Sequence, residues 1–125
     1  MEVLVVDDEP AVCTVLTLVL GKAGHEARVC DSGAAALDWL GRSDPALALI
    51  DLSLPKVHDM TVLAAVRAAR PALPIIVISG ILPEFDAVML EREGMTVDNG
   101  VYCLAKPFTA KQLQRLMEAA LAGAG

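Results

Sequence analysis

The sequence predicts a single α/β domain in which helices cover both faces of a central parallel β-sheet. Its 125 residues, 55% of them hydrophobic, match the usual size of one domain with its own core. Short apolar runs alternate with segments of helical periodicity, which is the pattern of consecutive βαβ units. The runs at 46–50 and 74–78 contain no polar side chain. Strands of that kind are buried on both faces, so we expect the sheet to be parallel and central.

Five strands and five helices are predicted in alternation. The strands lie at residues 2–6, 26–30, 46–50, 74–78 and 100–104. Pro10 suits the first turn of the first helix, and Gly24 suits the position after its end. The apolar positions of this helix have helical spacing: Val12, Val15, Leu16 and Val19. Ser32 is a candidate N-cap for a short second helix.

The other three helices have similar signals at their ends. A third helix ends before Pro71, a fourth begins at Pro83, and Thr109 caps a fifth. The apolar stripe of the fifth helix is formed by Leu113, Leu116, Met117 and Leu121. This regular stripe predicts that the fifth helix packs on the sheet.

The segment before the last strand is the least regular part of the chain. The pair Asn99-Gly100 is a hairpin signal, so residues 94–100 form either a small extra ribbon or, as we favour, a surface loop. No linker interrupts the rest of the sequence. We take residues 1–122 as one domain and residues 123–125 as a frayed tail.

The charge balance and the cysteines exclude several classes of protein. Ten Lys and Arg residues against sixteen Asp and Glu residues give a net charge of −6, which repels nucleic-acid phosphates, so no direct nucleic-acid partner is expected. The three cysteines lack disulfide or metal spacing, and we expect three buried small hydrophobes in a reducing compartment. The sequence has no signal-peptide pattern, and its longest nearly apolar segment is about half of a membrane span. We therefore expect a cytoplasmic protein that does not insert into membranes.

Polar side chains of functional type follow four of the predicted strands. They are Asp7 and Asp8 after the first strand, Asp51 after the third, Ser79 after the fourth and Lys106 after the fifth. The carboxyl ends of parallel strands share one edge of the sheet, which is where α/β sheets bind ligands. We therefore expect these groups to converge on one site.

Three aspartates at one place need either a proton or a cation. Two unit charges about 4 Å apart repel by roughly 4 kcal/mol at an effective dielectric constant near 20. Either one carboxyl is protonated, or a cation is bound. Oxygen ligands from Asp8 and Asp51, with Asp7 acting through water, describe a site for Mg²⁺ or Mn²⁺. Such a site would bring a phosphoryl group to the Asp51 carboxylate for nucleophilic attack, with Lys106 as a second positive charge and Ser79 as a hydroxyl.

Four short motifs lie at the strand ends in a fixed order. They are LVVDDEP at 4–10, IDLSLP at 50–55, ISG at 78–80 and AKPFT at 105–109. Together they resemble the receiver domain of two-component response regulators, and the resemblance covers the whole chain. It implies a flavodoxin-like (βα)5 three-layer sandwich, as in the chemotaxis regulators, with a doubly wound sheet of strand order 2-1-3-4-5. The Lys106–Pro107 peptide bond, usually cis in this family, is expected to be cis here.

The resemblance also implies roles for the residues of the site. Asp51 would be the phosphoacceptor, Lys106 would contact the phosphoryl group, and Ser79 would be the switch hydroxyl. The implied metal ligands are Asp7, Asp8, Asp51 and the carbonyl of Ser53. The phosphoryl donor would be a phosphohistidine on a sensor histidine kinase or a histidine phosphotransfer protein, and a downstream protein would sense the resulting change. Such a domain phosphorylates and dephosphorylates itself rather than turning over a substrate.

Some residues depart from the family pattern. The aromatic residue expected three positions before the lysine is Cys103 here, and Tyr102 precedes it, on the opposite face by strand alternation. The chain between Ser79 and Lys106 is several residues longer than usual, which resembles receivers attached to hybrid sensor kinases. The altered switch position keeps a second hypothesis open, a receiver-like interaction module that works without phosphorylation. An aspartyl phosphohydrolase is disfavoured because position 53 is serine rather than a general acid.

Overall fold

Five parallel strands form one central sheet of order β2-β1-β3-β4-β5 in the computed structural model, which describes residues 1–51, 59–79, 90–92, 94 and 96–124. The strands are β1 (Glu2–Val6), β2 (Glu26–Cys30), β3 (Leu47–Asp51), β4 (Ile75–Ser79) and β5 (Val101–Ala105). Every neighbouring pair is parallel. The predicted class and strand order, those of a doubly wound flavodoxin-like α/β fold, are confirmed.

The last three strands each begin and end one residue later than predicted. As a result Asp51 is the last residue of β3, paired with Ile78, and Ser79 is the last residue of β4, paired with Ala105. The prediction ended each strand at its last apolar side chain. Backbone pairing does not depend on side-chain polarity, so it continues for one more residue and fixes the position of both polar groups.

The helices have the predicted starting signals. The described helices are α1 (Pro10–Lys22), α2 (Gly33–Leu40), α3 (Asp59–Ala69) and the C-terminal helix (Ala110–Ala124). The Ser32 hydroxyl accepts the Ala35 N–H at 3.1 Å, so Ser32 caps α2 as predicted. Thr109 and Gln112 cap the C-terminal helix reciprocally, each side chain accepting the other residue's N–H.

The C-terminal helix continues through Ala124, two residues into the segment for which the sequence predicts fraying. The predicted start of the fourth helix at Pro83 lies outside the described residues, and residues 90–92 are helical. No helix in the described part of the chain is long and apolar enough to cross a membrane.

Two apolar cores sit on opposite faces of the sheet, because alternate residues of each strand point to opposite sides. On β1, Leu4 and Val6 belong to the core under α2 and α3, whereas Val3 and Val5 belong to the core under α1 and the C-terminal helix. The central strand β3 is buried along its whole length. This packing holds the carboxyl edge of the sheet in place.

Residues 96–100 form a loop rather than a ribbon. Val97–Asn99 make a single 3₁₀ turn, and Gly100 follows in the left-handed region with φ of 77°. The Val101 N–H donates to the Thr96 carbonyl at 3.0 Å, which closes the turn onto the start of β5. The Asn99-Gly100 pair therefore provides a tight turn, because glycine adopts a positive φ without a steric penalty.

Candidate functional site

Two buried carboxyls lie at the carboxyl edge of the sheet. β1 and β3 are neighbours, and their register pairs Val6 with Ile50. The next residues, Asp7 and Asp51, therefore lie on adjacent strand ends. Their exposed fractions are only 1% and 2%. Carboxyls buried to this degree require compensation, since an isolated buried charge is expensive.

Asp7 has only one of its two oxygens satisfied. Its Oδ1 accepts the Glu9 N–H at 2.9 Å, while its buried Oδ2 has no hydrogen-bond partner among the described residues. Burial is the main cause that raises the pKa of Asp7 from 3.8 to about 7. Hydrogen bonding to Asp51 and the Asp51 charge raise the pKa further, against the opposing effects of the Glu9 N–H and Lys106. Two ionised carboxylates have no donor to share, so this pair gains a hydrogen bond only when it holds a proton.

Lys106 provides a positive charge at the pair. Its Nζ donates to Asp51 Oδ2 at 2.7 Å, and the lysine side chain is 24% exposed. Since β4 lies between β3 and β5 in the sheet, this ion pair spans the end of β4. The Lys106–Pro107 peptide bond is cis, as predicted. The ammonium offsets one of the two carboxylate charges and leaves the site negative when both acids are ionised.

The structure brings together three of the predicted site residues: Asp7, Asp51 and Lys106. Asp8 is exposed in the loop that follows β1, next to this group in the chain. The Ser79 backbone ends β4, but its side chain and the whole of Ser53 lie outside the described residues.

The donor set suits a hard divalent cation. The described residues contain no group of three or more His, Cys, Asp or Glu side chains that forms a complete metal cage. They do contain two buried carboxyls, one of which has an unpartnered oxygen. Mg²⁺ commonly uses only one or two carboxylates and keeps several waters, so this partial set fits such an ion.

Cys13 is a neighbour of the site that the sequence prediction missed. Its thiol donates to the Asp7 carbonyl at 3.4 Å. Burial raises the pKa of the Cys13 thiol, and the charges of Asp7, Asp51 and Asp8 raise it further. The thiol therefore stays protonated beside the acids. The sequence feature that could have predicted this contact is the position of Cys13 in the first turn of α1, just after the acids.

The β5 side chains confirm the predicted alternation. Tyr102 packs with the core under the C-terminal helix, and its hydroxyl lies beside Gly123. Cys103 faces the other way and is exposed, and it lines a surface depression together with Leu90 and Thr96. The expectation of three buried cysteines therefore holds only for Cys30. Cys13 is half-buried, and Cys103 is exposed because β5 is an edge strand that is only partly covered.

The raised pKa of Asp7 predicts that lowering the pH stabilises the metal-free wild type relative to an Asp7→Asn variant, as measured by the free energy of unfolding. The folded protein holds this proton up to about pH 7, whereas the unfolded chain releases it near 3.8. The stabilisation is fully present below the lower value and is lost as the pH rises through the higher one. Urea unfolding with a chelator at about pH 5 and about pH 8 measures it. The raised pKa of Asp7 would be contradicted if the two proteins differed in the free energy of unfolding by the same amount at both pH values. It would also be contradicted if wild type were the more stable protein at the higher pH.

The fold and the site together define an α/β domain with a buried acidic centre at the carboxyl edge of its parallel sheet. The family model of the response regulator receiver domain matches residues 3–118, and the chain belongs to this family. Accepting a phosphoryl group is the general function of the family. Receiver domains generally depend on Mg²⁺ and interact with sensor kinases and downstream effectors.

Similar proteins cover nearly the whole chain. The sensory transduction protein RegX3 of Mycobacterium tuberculosis is 32% identical over 123 residues, which is 98% of this chain and 52% of that protein. The DNA-binding transcriptional regulator NtrC of Bradyrhizobium is 31% identical over 96% of this chain and 24% of its own length. The crystal structure of a receiver protein from Sinorhizobium medicae has a TM-score of 0.83, with 26% identity over 100% of this chain and 97% of that one. This chain thus spans between a quarter and about half of these two curated relatives.

Proposed function

We propose that Asp51 accepts a phosphoryl group from a phosphohistidine on a sensor histidine kinase or a histidine phosphotransfer protein, in a Mg²⁺-dependent reaction. The observation that carries this proposal is the 2.7 Å ion pair between Lys106 and the almost fully buried Asp51 carboxylate. Because burying a carboxylate is costly, a buried acid at a sheet edge is a candidate functional residue. A nucleophile held in position by a cation accounts for it.

The metal ligands of the proposal are Asp8, Asp51 and the Ser53 carbonyl, with Asp7 acting through a water molecule. Ser53 lies outside the described residues. When bound, Mg²⁺ or Mn²⁺ neutralises the clustered acids and orients the phosphoryl oxygens. The unpartnered Oδ2 of Asp7 supports this set, because a buried carboxylate oxygen without a donor is costly unless water or a cation reaches it.

In the proposed transfer, an Asp51 carboxylate oxygen forms a bond to phosphorus while the bond from phosphorus to the donor imidazole nitrogen breaks. The electron pair of the broken bond leaves with the imidazole, and the product is an acyl phosphate. Lys106 already donates to Asp51 Oδ2 and is placed to donate to a phosphoryl oxygen on the same residue. In this exchange Asp51 therefore supplies the nucleophile and Lys106 supplies a positive charge, at the site where the metal ion would be held.

The output would be a change in β4 and β5, biased by the phosphoryl group through Ser79 and Lys106 and sensed by a downstream protein partner. We place this activity in a domain of residues 1–122, in the cytoplasm. The second candidate is an interaction module that works without phosphorylation. The exposed Cys103 at the usual aromatic position favours it.

Incubation with acetyl phosphate and Mg²⁺, followed by intact-mass measurement, tests the proposal. Wild type is expected to gain one phosphoryl group, and Asp51→Asn none. Asp38→Asn is the matched control, since Asp38 is an exposed acid on α2 that pairs with Arg42. No gain in wild type would favour the interaction module instead, and a gain that survives in Asp51→Asn would refute the assignment of the nucleophile.

A further inference from the structure

A cavity of about 590 Å³ lies at the amino edge of the sheet, at the opposite end of the strands from the acidic site. Pro74 and Gly100 line it and directly precede β4 and β5, and Gly123 near the end of the C-terminal helix lines it as well. Small-molecule sites in proteins have volumes of roughly 300–1,000 Å³. The cavity therefore has the size of such a site, in a part of the fold that the proposed phosphoryl transfer does not use.

Arg67 brings a positive charge to this cavity without an acidic partner. Its Nη1 donates to the carbonyls of Arg70 and Pro71 at 3.1 and 2.8 Å, whereas its Nη2 only approaches the Gly100 carbonyl, at 3.4 Å. Its Nε has no hydrogen-bond partner, and the guanidinium forms no ion pair with a carboxylate of the described residues. Burial lowers the pKa of Arg67. A bound anion would therefore neutralise a charge that the neighbouring side chains leave uncompensated.

Asp98 brings one negative charge to the same cavity. It is exposed in the 3₁₀ turn, two residues before Gly100, whose carbonyl Arg67 approaches. Two residues of chain span at most about 7 Å, so one small molecule can reach both charges. The acid disfavours a phosphate or another dianion, because like charges repel. A ligand with one negative and one positive group complements the cavity better than a simple anion does.

The other walls of the cavity suit an apolar group. Pro71, Pro74 and Ala120 line it with aliphatic carbon, and Tyr102 lines it from β5. A Cβ atom at Gly123 would lie 2.7 Å from the Tyr102 hydroxyl, so glycine at this position allows the helix end to approach the tyrosine. Mostly apolar walls with a few polar groups that fix orientation are typical of small-molecule sites.

We propose that this cavity binds a free α-amino acid with an apolar side chain. The Arg67 guanidinium holds the carboxylate, whose planar shape it matches. The Asp98 carboxylate accepts hydrogen bonds from the ammonium group, and the side chain packs against Pro71 and Pro74. A ligand of about a dozen non-hydrogen atoms in an open site is expected to bind with a dissociation constant of about 1 mM.

An NMR titration of the isotope-labelled protein with L-phenylalanine, up to about 20 mM, tests the proposal, since this range passes well beyond the expected dissociation constant. The amide signals of Gly94, Gly100 and Gly123, which line the cavity, are expected to shift and to saturate together. The amide signals of α2 should not shift, because α2 packs on β1 and β2 rather than beside the cavity.

Two analogues of the probe test its charged groups separately. The first, 3-phenylpropanoate, lacks the ammonium group, and the second, L-phenylalaninamide, lacks the carboxylate. Each should bind about tenfold more weakly than L-phenylalanine, because a charge-assisted hydrogen bond is lost. Since Arg67 also holds backbone carbonyls, changing the probe tests its role without disturbing the fold.

Substitution of Asp98 tests the other end of the ligand. Asp98→Asn should weaken L-phenylalanine about tenfold and leave the binding of 3-phenylpropanoate unchanged. Asp98→Lys should reverse the preference, so that 3-phenylpropanoate binds more tightly than L-phenylalanine. Asp38→Asn is the matched control, because Asp38 is an exposed acid on α2; it should bind L-phenylalanine as wild type does. The spectrum of each variant without ligand shows whether it is folded.

Three outcomes would overturn the proposal. One is the absence of saturable shifts at the cavity in wild type up to the highest concentration. Another is equal affinity for the three probes, which would mean apolar contact without recognition of the zwitterion. The third is an equal effect of Asp98→Asn and Asp38→Asn on L-phenylalanine binding, which would mean that only the net charge of the protein matters.

Discussion

Asp7→Asn is expected to raise the free energy of unfolding by about 2 kcal/mol at about pH 8 in Mg²⁺-free buffer. Wild type holds a buried carboxylate there whose pKa is raised to about 7, mainly by burial, so ionisation at this pH opposes folding. Asparagine keeps an oxygen to accept the Glu9 N–H and offers an amide donor to Asp51. Urea unfolding of both proteins measures the difference.

Mg²⁺ is expected to reverse this order of stability. An ion that binds only the folded state stabilises it by about 2.7 kcal/mol at a hundred times its dissociation constant. Wild type should show that gain, and Asp7→Asn much less of it, because the variant has lost one negative charge of the site. Asp38→Asn serves as the control, since an exposed acid on α2 should change stability by no more than about 0.5 kcal/mol with or without Mg²⁺. An Asp7→Asn variant that is less stable than wild type in the chelator would contradict the electrostatic account.

Much of the fold follows from side-chain patterns alone. The uninterrupted apolar runs of β3 and β4 predict a parallel sheet with both faces covered, and the apolar residues of both strands are buried as expected. The capping residues Ser32 and Thr109 mark helix starts correctly. Strand ends are less predictable, because the backbone ladder of β3 continues through Asp51 although its side chain is polar.

The site is predictable in its members but not in its electrostatic state. Strand-end position alone places Asp7, Asp51 and Lys106 together, and the ion pair to Asp51 shows that Lys106 reaches across β4. From the sequence, a shared proton and a bound cation are equal alternatives. Burial decides how costly each is, and burial depends on the packing of neighbouring strands. The exposure of Cys103 likewise cannot be predicted from the sequence, because it depends on which residues pack beside an edge strand.

The ion pair between Lys106 and Asp51 is expected to stabilise the buried Asp51 carboxylate in the folded protein. Lys106→Met tests this contribution to the free energy of unfolding. Methionine keeps much of the stem's length and removes the ammonium, which leaves Asp51 buried without its 2.7 Å partner. Breaking a buried ion pair on one side typically costs about 3 kcal/mol, and we expect a loss of that size in Mg²⁺-free buffer. Lys111→Met is the control, because Lys111 is exposed on the C-terminal helix.

A double-mutant cycle with Asp51→Asn separates the ion pair from other effects of the lysine. In the Asp51→Asn background the residue that pairs with the Lys106 ammonium is neutral, so Lys106→Met should then cost less than about 1 kcal/mol. The rate of phosphorylation by acetyl phosphate should fall about 100-fold in Lys106→Met, because a charge-assisted contact to the transferred group is lost. Equal stability losses in the two backgrounds would mean that the lysine acts through packing rather than through Asp51. An unchanged phosphorylation rate would remove Lys106 from the proposed transfer step while leaving Asp51 as its nucleophile.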